Sequence, residues 1–168
     1  MVEKQEAVSS QWGQVQTAYQ RRADLIPNLV NTVKGYASHE QETLTAVTEA
    51  RARATQVTVN PEDLTEENIQ RFQEAQGQLS TAIGRLLMVQ EQYPDLKANQ
   101  NFMALQDELA GTENRISVER NKFNTVVQDY NGYIRKFPQV IYAGWFGFEK
   151  KGYFEADPGS QTAPQVQF

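Results

Sequence analysis

Cysteine is absent from this 168-residue chain, and histidine occurs once, at His39. No disulfide frame, thiol nucleophile or thiolate metal site can therefore be built, and the lack of cysteine fits either side of a membrane. A di-metal site in a helical protein needs a Glu-x-x-His pair on each of two helices. Here the residue three before His39 is Tyr36, and no second histidine completes a zinc-protease helix. No serine stands on a nucleophile elbow that His39 would serve, and glycine-rich phosphate loops are missing. Catalytic residues, metal ligands and cofactors are accordingly set at none, no small-molecule substrate is evident, and His39 reads as an exposed or capping helix side chain. A metal-binding or hydrolytic helical protein stays as the alternative function.

Other absences are as informative. No apolar run approaches the ~20 residues that cross a bilayer, and no signal-peptide pattern opens the chain. Sixteen basic residues against 21 acidic ones leave a net charge of −5. That balance excludes the clustered Lys and Arg of a nucleic-acid footprint. An apolar fraction of 39% and a charged fraction of 22% suit a folded chain of one domain. A chain of this length buries roughly 70% of its unfolded surface.

What is present is heptad spacing. Val8, Trp12, Val15, Tyr19, Arg22, Ile26, Leu29, Val33 and Tyr36 alternate at intervals of four and three, a seam with one polar member, Arg22. After Tyr36 the seam drifts to Glu40, Leu44, Val47 and Arg51. These residues predict a first helix over about 3–54. Pro27 lacks an amide donor and crowds the carbonyl of Ala23, so a kink there is favoured, with a break capped by Asp24 as the alternative. Val57–Pro61 interrupts the pattern. A second helix follows over about 62–92, with Ile69, Phe72, Gln76, Leu79, Ile83 and Leu86 on its seam. Tyr93-Pro94 ends it. The third helix is predicted over about 99–136, using Phe102, Leu105, Leu109, Thr112, Ile116, Glu119, Phe123, Val126, Tyr130 and Tyr133. The fold class expected is all-α: an elongated up-and-down antiparallel bundle of three long helices plus a shorter fourth over 1–137. The fourth comes either from a break at Pro27 or from the tail.

Helix lengths give a register. If the second helix folds back at 57–61, Tyr93 falls beside Ile26 and the third helix runs parallel to the first. Arg21, Arg22 and Asp24 then meet the turn holding Asp95, and the arginines are expected to pin it through Asp95 and free carbonyls. Glu113, Arg120, Asn124 and Asn131 form a polar stripe beside the third seam, expected to set helix register. The first twenty residues overhang, to be covered by a folded-back helix, a second copy or the tail. Residues 138–168 form an aromatic segment expected to pack on the bundle, capping its end away from the chain start and returning along a groove. Tyr142, Trp145, Phe146 and Phe148 are its candidate partner patch. On this register the patch is too far from the chain start to serve as a membrane contact. The terminus beyond Asp157-Pro158-Gly159 reads as polar and extended.

Four segments in order carry a resemblance: QRRADLIPNLVNTVKGYASHE at 20–40, YPDLKANQNF at 93–102, ELAGTENRI at 108–116, and the tail pattern FP…GF…YFEA. Together they resemble the LemA family of bacterial envelope proteins. The resemblance implies a four-helix-bundle domain held at the cell envelope, with no catalytic residue or cofactor defined. It further implies an N-terminal membrane tether, here trimmed, or a lipid anchor, and leaves the membrane side open. Relatives carry a small residue where this chain has Glu119. The function expected is a non-enzymatic tethered scaffold or interaction domain, with a protein partner or a second copy of itself.

Overall fold

The computed structural model describes residues 2–136 and 139–155. All regular structure among them is helical. Helix α1 spans Val2–Tyr36, α2 Gln41–Gln56, α3 Glu66–Met88, α4 the single turn Pro94–Lys97, α5 Gln100–Arg135 and α6 Gln139–Phe146. Short 3-10 turns stand at Pro61–Asp63 and Val89–Gln92.

The expected first helix over 3–54 is two helices. Pro27 lies inside α1 without breaking it, and the chain reverses at 37–40 instead. There the Ala37 amide closes the last turn of α1 on Val33, and the Glu40 amide returns to Ala37. The drift of the seam after Tyr36 was this reversal, since a new helix sets its own phase. Because α2 is antiparallel, Arg51 comes back to Ala23, donating Nε–H to its carbonyl at 2.8 Å. That carbonyl would ordinarily accept the amide of residue 27, which proline lacks. A neighbouring side chain thus satisfies the acceptor that Pro27 leaves open.

Loop 57–65 continues toward the start of α1, where Trp12 donates its indole N–H to the Val59 carbonyl at 2.8 Å. The Thr65 hydroxyl then caps α3 by accepting the Asn68 amide. Phe72 packs on Trp12 and Tyr19 at the near end of α3, and the Tyr93 hydroxyl bonds Glu40 just past its far end. So α3 runs parallel to α1, and the turn after it meets the end of α1, not its middle. Asn99 caps α5 through the Phe102 amide and bonds the Tyr36 hydroxyl. Successive bonds Asn101–Thr32, Glu113–Arg22, Gln11–Glu119 and Lys4–Asp129 show α5 antiparallel to α1 over its length. The expected parallel register is therefore reversed. Its error came from omitting the turn at 37–40, which adds one change of direction. At about 1.5 Å per residue α1 is roughly 52 Å long, so the frame is elongated.

Two hydrophobic clusters fill the frame. One joins Val8, Trp12, Val15 and Tyr19 to Phe72, Phe123, Tyr130 and Phe154; the other joins Ile26, Leu29 and Val33 to Val47, Leu79, Leu86, Phe102 and Leu109. Each large side chain fully buried contributes about 1.5–3 kcal/mol. Beyond Phe123 the buried face of α5 is Val127, Tyr130 and Ile134, one residue later than the expected Val126 and Tyr133. Helix α2 closes the second cluster. Beside the first, where α2 has ended, loop residues Val59 and Leu64 and the tail residue Phe154 supply the cover. The first twenty residues are thus covered within the chain by α5, the start of α3, the 57–65 loop and the tail.

Candidate functional site

Arg22 lies between the two clusters and is 2% exposed. Its Nη1 donates to Glu113 Oε1 at 3.0 Å, and its Nη2 to both the carbonyl and the side-chain oxygen of Gln76 at 2.9 Å. The guanidinium also rests over the Tyr19 ring, 5.2 Å from its centroid. One planar fork thus ties α1, α3 and α5 at a single level, a geometry that a lysine ammonium cannot reproduce. Gln76 and Glu113 on α3 and α5 are brought there because both helices pass this level of α1. Arg22 Nε has no partner among the described residues.

This placement overturns the expected pinning of the 93–99 turn. Asp95 sits on α4 beside the end of α1, about 21 Å along the helix axis from Arg22. Arg21 is exposed and lines a shallow open groove of about 340 Å³ with Thr17, Ala18, Glu108, Gly111, Thr112 and Arg115. Asp24 accepts a bond from Gln20 one turn earlier, at 2.8 Å. Within the expected cluster, Arg22 and Glu113 meet.

Arg120, Asn124 and Asn131 hold the tail. The side-chain amide of Asn131 accepts the Lys151 amide at 2.8 Å and donates to its carbonyl at 3.0 Å. Asn124 makes the same reciprocal pair with Phe154, at 2.8 and 3.0 Å. Gln73 on α3 repeats it with Glu155, at 3.1 and 2.6 Å. Arg120 donates to the Glu155 carbonyl at 2.9 Å and lies 5.0 Å from the centre of the Phe154 ring. These amides act as a neighbouring strand would, offering one donor and one acceptor to an extended chain. The spacing explains why. Seven helical residues from Asn124 to Asn131 advance about 10.5 Å, and three extended residues from Lys151 to Phe154 advance about 10 Å.

Gly152 is required within this strap. Its amide bonds the Leu64 carbonyl at 2.9 Å, and a Cβ there would stand 2.7 Å from Glu66 Cα and 2.9 Å from the Thr65 carbonyl oxygen. Phe154 closes over Trp12 and Phe123, with ring centroids 6.1 and 5.4 Å away. Lys151 is buried beside the Tyr130 ring. Burial pushes its ammonium below the usual lysine range, against the opposing pull of Glu149, Glu62 and Asp63. Burial, with Glu149, raises the Tyr130 hydroxyl.

The reversed register also moves the aromatic segment. Lys4 pairs with Asp129 at 2.6 Å and sits over the Tyr133 ring, so α5 delivers the tail to the end of the frame where α1 begins. The expectation of a cap at the opposite end is corrected accordingly. On α6 Ala143 is buried, Trp145 is 77% exposed and Phe146 71% exposed, while Phe148, just past the helix, is half-buried. The Tyr142 side chain, the Phe137-Pro138 closure and the terminus beyond 155 lie outside the described residues.

Sequence reasoning missed Gln73, Gln76, Arg51 and Gly152. Gln76 sat on the second seam, a polar residue at the same kind of position as Arg22, and that match was the available signal. Glu119 is buried, accepting a bond from Gln11 at 2.6 Å. Among the described residues no three His, Asp or Glu side chains are grouped to hold a metal ion, and no helix is long and apolar enough to cross a membrane.

The geometry defines a class: an all-helical domain whose inward polar groups bond to its own helices and tail. A model of the LemA family matches residues 11–168, and the chain belongs to that family. It is 33% identical over 95 residues to magnetosome protein MamQ of Magnetospirillum gryphiswaldense, covering 55% of this chain and 35% of that protein. MamQ 2 of Paramagnetospirillum magneticum is 33% identical over 88 residues, covering 52% of this chain and 32% of its own length. Protein LemA of Metamycoplasma hominis is 26% identical over 131 residues, covering 78% of this chain and 53% of that protein. The chain thus spans about a third to about half the length of these relatives.

Proposed function

We infer that the chain is the helical domain of a membrane-associated bacterial protein and works without catalysis. It acts as a tethered spacer or scaffold that presents helical faces to a partner protein or to a second copy. Its four long helices form an up-and-down bundle in this reading. The observation that carries it is the polar layer at Arg22, whose donors reach Gln76 and Glu113 and so lock three helices at one level. Side chains held in this way serve rigidity, which a spacer needs. Family membership supports an envelope setting, and relatives named as magnetosome proteins are consistent with it.

Cross-linking of the full-length protein in native membranes, followed by affinity capture, tests the proposal. An envelope protein or a second copy should be recovered in the cross-linked species. Recovery of neither across growth conditions would overturn it, as would a stoichiometric metal that survives dialysis of the purified domain and supports turnover.

A further inference from the structure

We propose that the strap is exchangeable: residues 151–155 of one chain seat in the groove between α3 and α5 of a second copy, giving a two-fold dimer. The groove reads an extended backbone of one particular sequence. Asn131 and Asn124 on α5 clamp Lys151 and Phe154 with reciprocal bonds, and Gln73 clamps Glu155 from α3. Gly152 passes where a Cβ would meet Glu66 Cα at 2.7 Å. Phe154 fills the recess lined by Trp12, Phe72 and Phe123. Main-chain bonds supply affinity here, and the glycine gap and aromatic recess supply selectivity, the division of labour used to recognise a separate extended peptide. A second copy carries a segment that meets every one of these conditions.

The connection between the strap and its own bundle buries little. Among the described side chains of residues 139–150, Ala143 alone is buried and Phe148 is half-buried. The chain turns back toward the groove at Gly147, whose φ is +73°. Residues 136–150, drawn out, span up to about 50 Å. That exceeds the roughly 20–24 Å across two packed helices, so the strap can reach the groove of a bundle lying alongside.

Energetics favour a second copy as the occupant. Lifting the strap uncovers Trp12 and Phe123 and takes the backbone partners from Asn124, Asn131 and Gln73. The strap of a second copy restores each of those contacts, so association returns what opening removed. Two closed chains and one exchanged dimer then differ by the conformation of the connection and the entropy of association, and concentration decides between them. The proposal rests on the scaffold reading for its setting, where copies held at one membrane meet at high local concentration, and it names the partner.

The chain has no cysteine, so single cysteines report exchange. Glu155 lies against Gln73 through two bonds. Full chains carrying Gln73→Cys and Glu155→Cys are mixed at high concentration, opened briefly in urea, returned to buffer and oxidised. Expected is a disulfide-linked heterodimer that forms at least about tenfold faster than either homodimer, because exchange brings the two thiols together. Adding Gly152→Ala to the Glu155→Cys chain, so that its strap cannot seat, should reduce the heterodimer to the homodimer rate. The natural chain given the same treatment should show a dimer by light scattering. Equal hetero- and homodimer rates, or a heterodimer that Gly152→Ala leaves untouched, would overturn the exchange. So would a natural chain that stays monomeric, including one whose groove takes up a synthetic peptide of residues 149–155, since the occupant would then be a segment of another protein. These outcomes are read on purified chains, so the exchange can fail while capture of an envelope protein from native membranes still upholds the scaffold reading.

Discussion

Arg51 on α2 donates to the carbonyl of Ala23 on α1 at 2.8 Å, and Ala23 stands four residues before Pro27. Two features that look separate in the chain, a proline inside a helix and an arginine on the next helix, form one unit. An acceptor left without a partner costs about 1–3 kcal/mol when buried. Arg51→Met should therefore cost about 1–2 kcal/mol in urea unfolding. In a Pro27→Ala background, where residue 27 regains its amide, the same change should cost clearly less. An equal cost in both backgrounds would separate Arg51 from the proline.

The layer at Arg22 makes an asymmetric prediction. Removing either member of a buried ion pair leaves the other charge unpaired, and the cost is greater where the remaining charge cannot reach water. Glu113→Ala strands the Arg22 guanidinium, whose side chain is 3% exposed, but Arg22→Met leaves Glu113 with 22% exposure to recruit water. Glu113→Ala should destabilise by about 3 kcal/mol, and Arg22→Met by at least about 1 kcal/mol less. Chemical denaturation of the two variants checks the order.

Gly152→Ala should lift the strap, because the added carbon would meet the backbone of Glu66 at 2.7 Å. Phe154 would then leave Trp12. In a Trp145→Phe background, Trp12 emission should shift red and become accessible to acrylamide while helical content persists. Unchanged quenching would show that the strap tolerates a side chain there.

Alkaline behaviour follows from Lys151 and Tyr130. Burial lowers Lys151 from its ordinary 10.5, so below that value the unfolded chain binds more protons and stability rises with pH through the lowered pKa. Tyr130 is raised above 10.0; there the folded chain holds the extra proton, so stability declines as pH rises past 10. Unfolding midpoints between pH 8 and 11 should rise and then fall. Lys151→Met should abolish the rise and leave the fall.

Heptad spacing made the helical class legible, and the buried faces of α1 and α3 follow the seams read from residues 8–33 and 69–86. The Tyr93-Pro94 break made the start of α5 legible too, since the helix expected from about residue 99 begins at Gln100. The reversal at 37–40 was not, because its residues Ala37, Ser38 and His39 carry no strong breaker and Glu40 makes no side-chain cap. One missed reversal then misplaced everything that depends on direction: the partners of Arg22, the end to which the tail is delivered, and the cover over Trp12. The strap was hidden for another reason. Asn124 and Asn131 read as register-setting residues within helices, and only the matched rise of helix and extended chain shows that they bind backbone.

Spin labels offer the most direct measurement, since the chain has no cysteine to interfere. One label replaces Lys4, and the other replaces either Asp129 or Asn101 on α5. An antiparallel α1 and α5 place the Lys4–Asp129 pair at short range, while Asn101 lies about 42 Å further along α5. A short first distance with a second one longer by that order is the predicted result; a short Lys4–Asn101 distance with a long Lys4–Asp129 one would contradict the fold and remove α6 from the end where α1 begins.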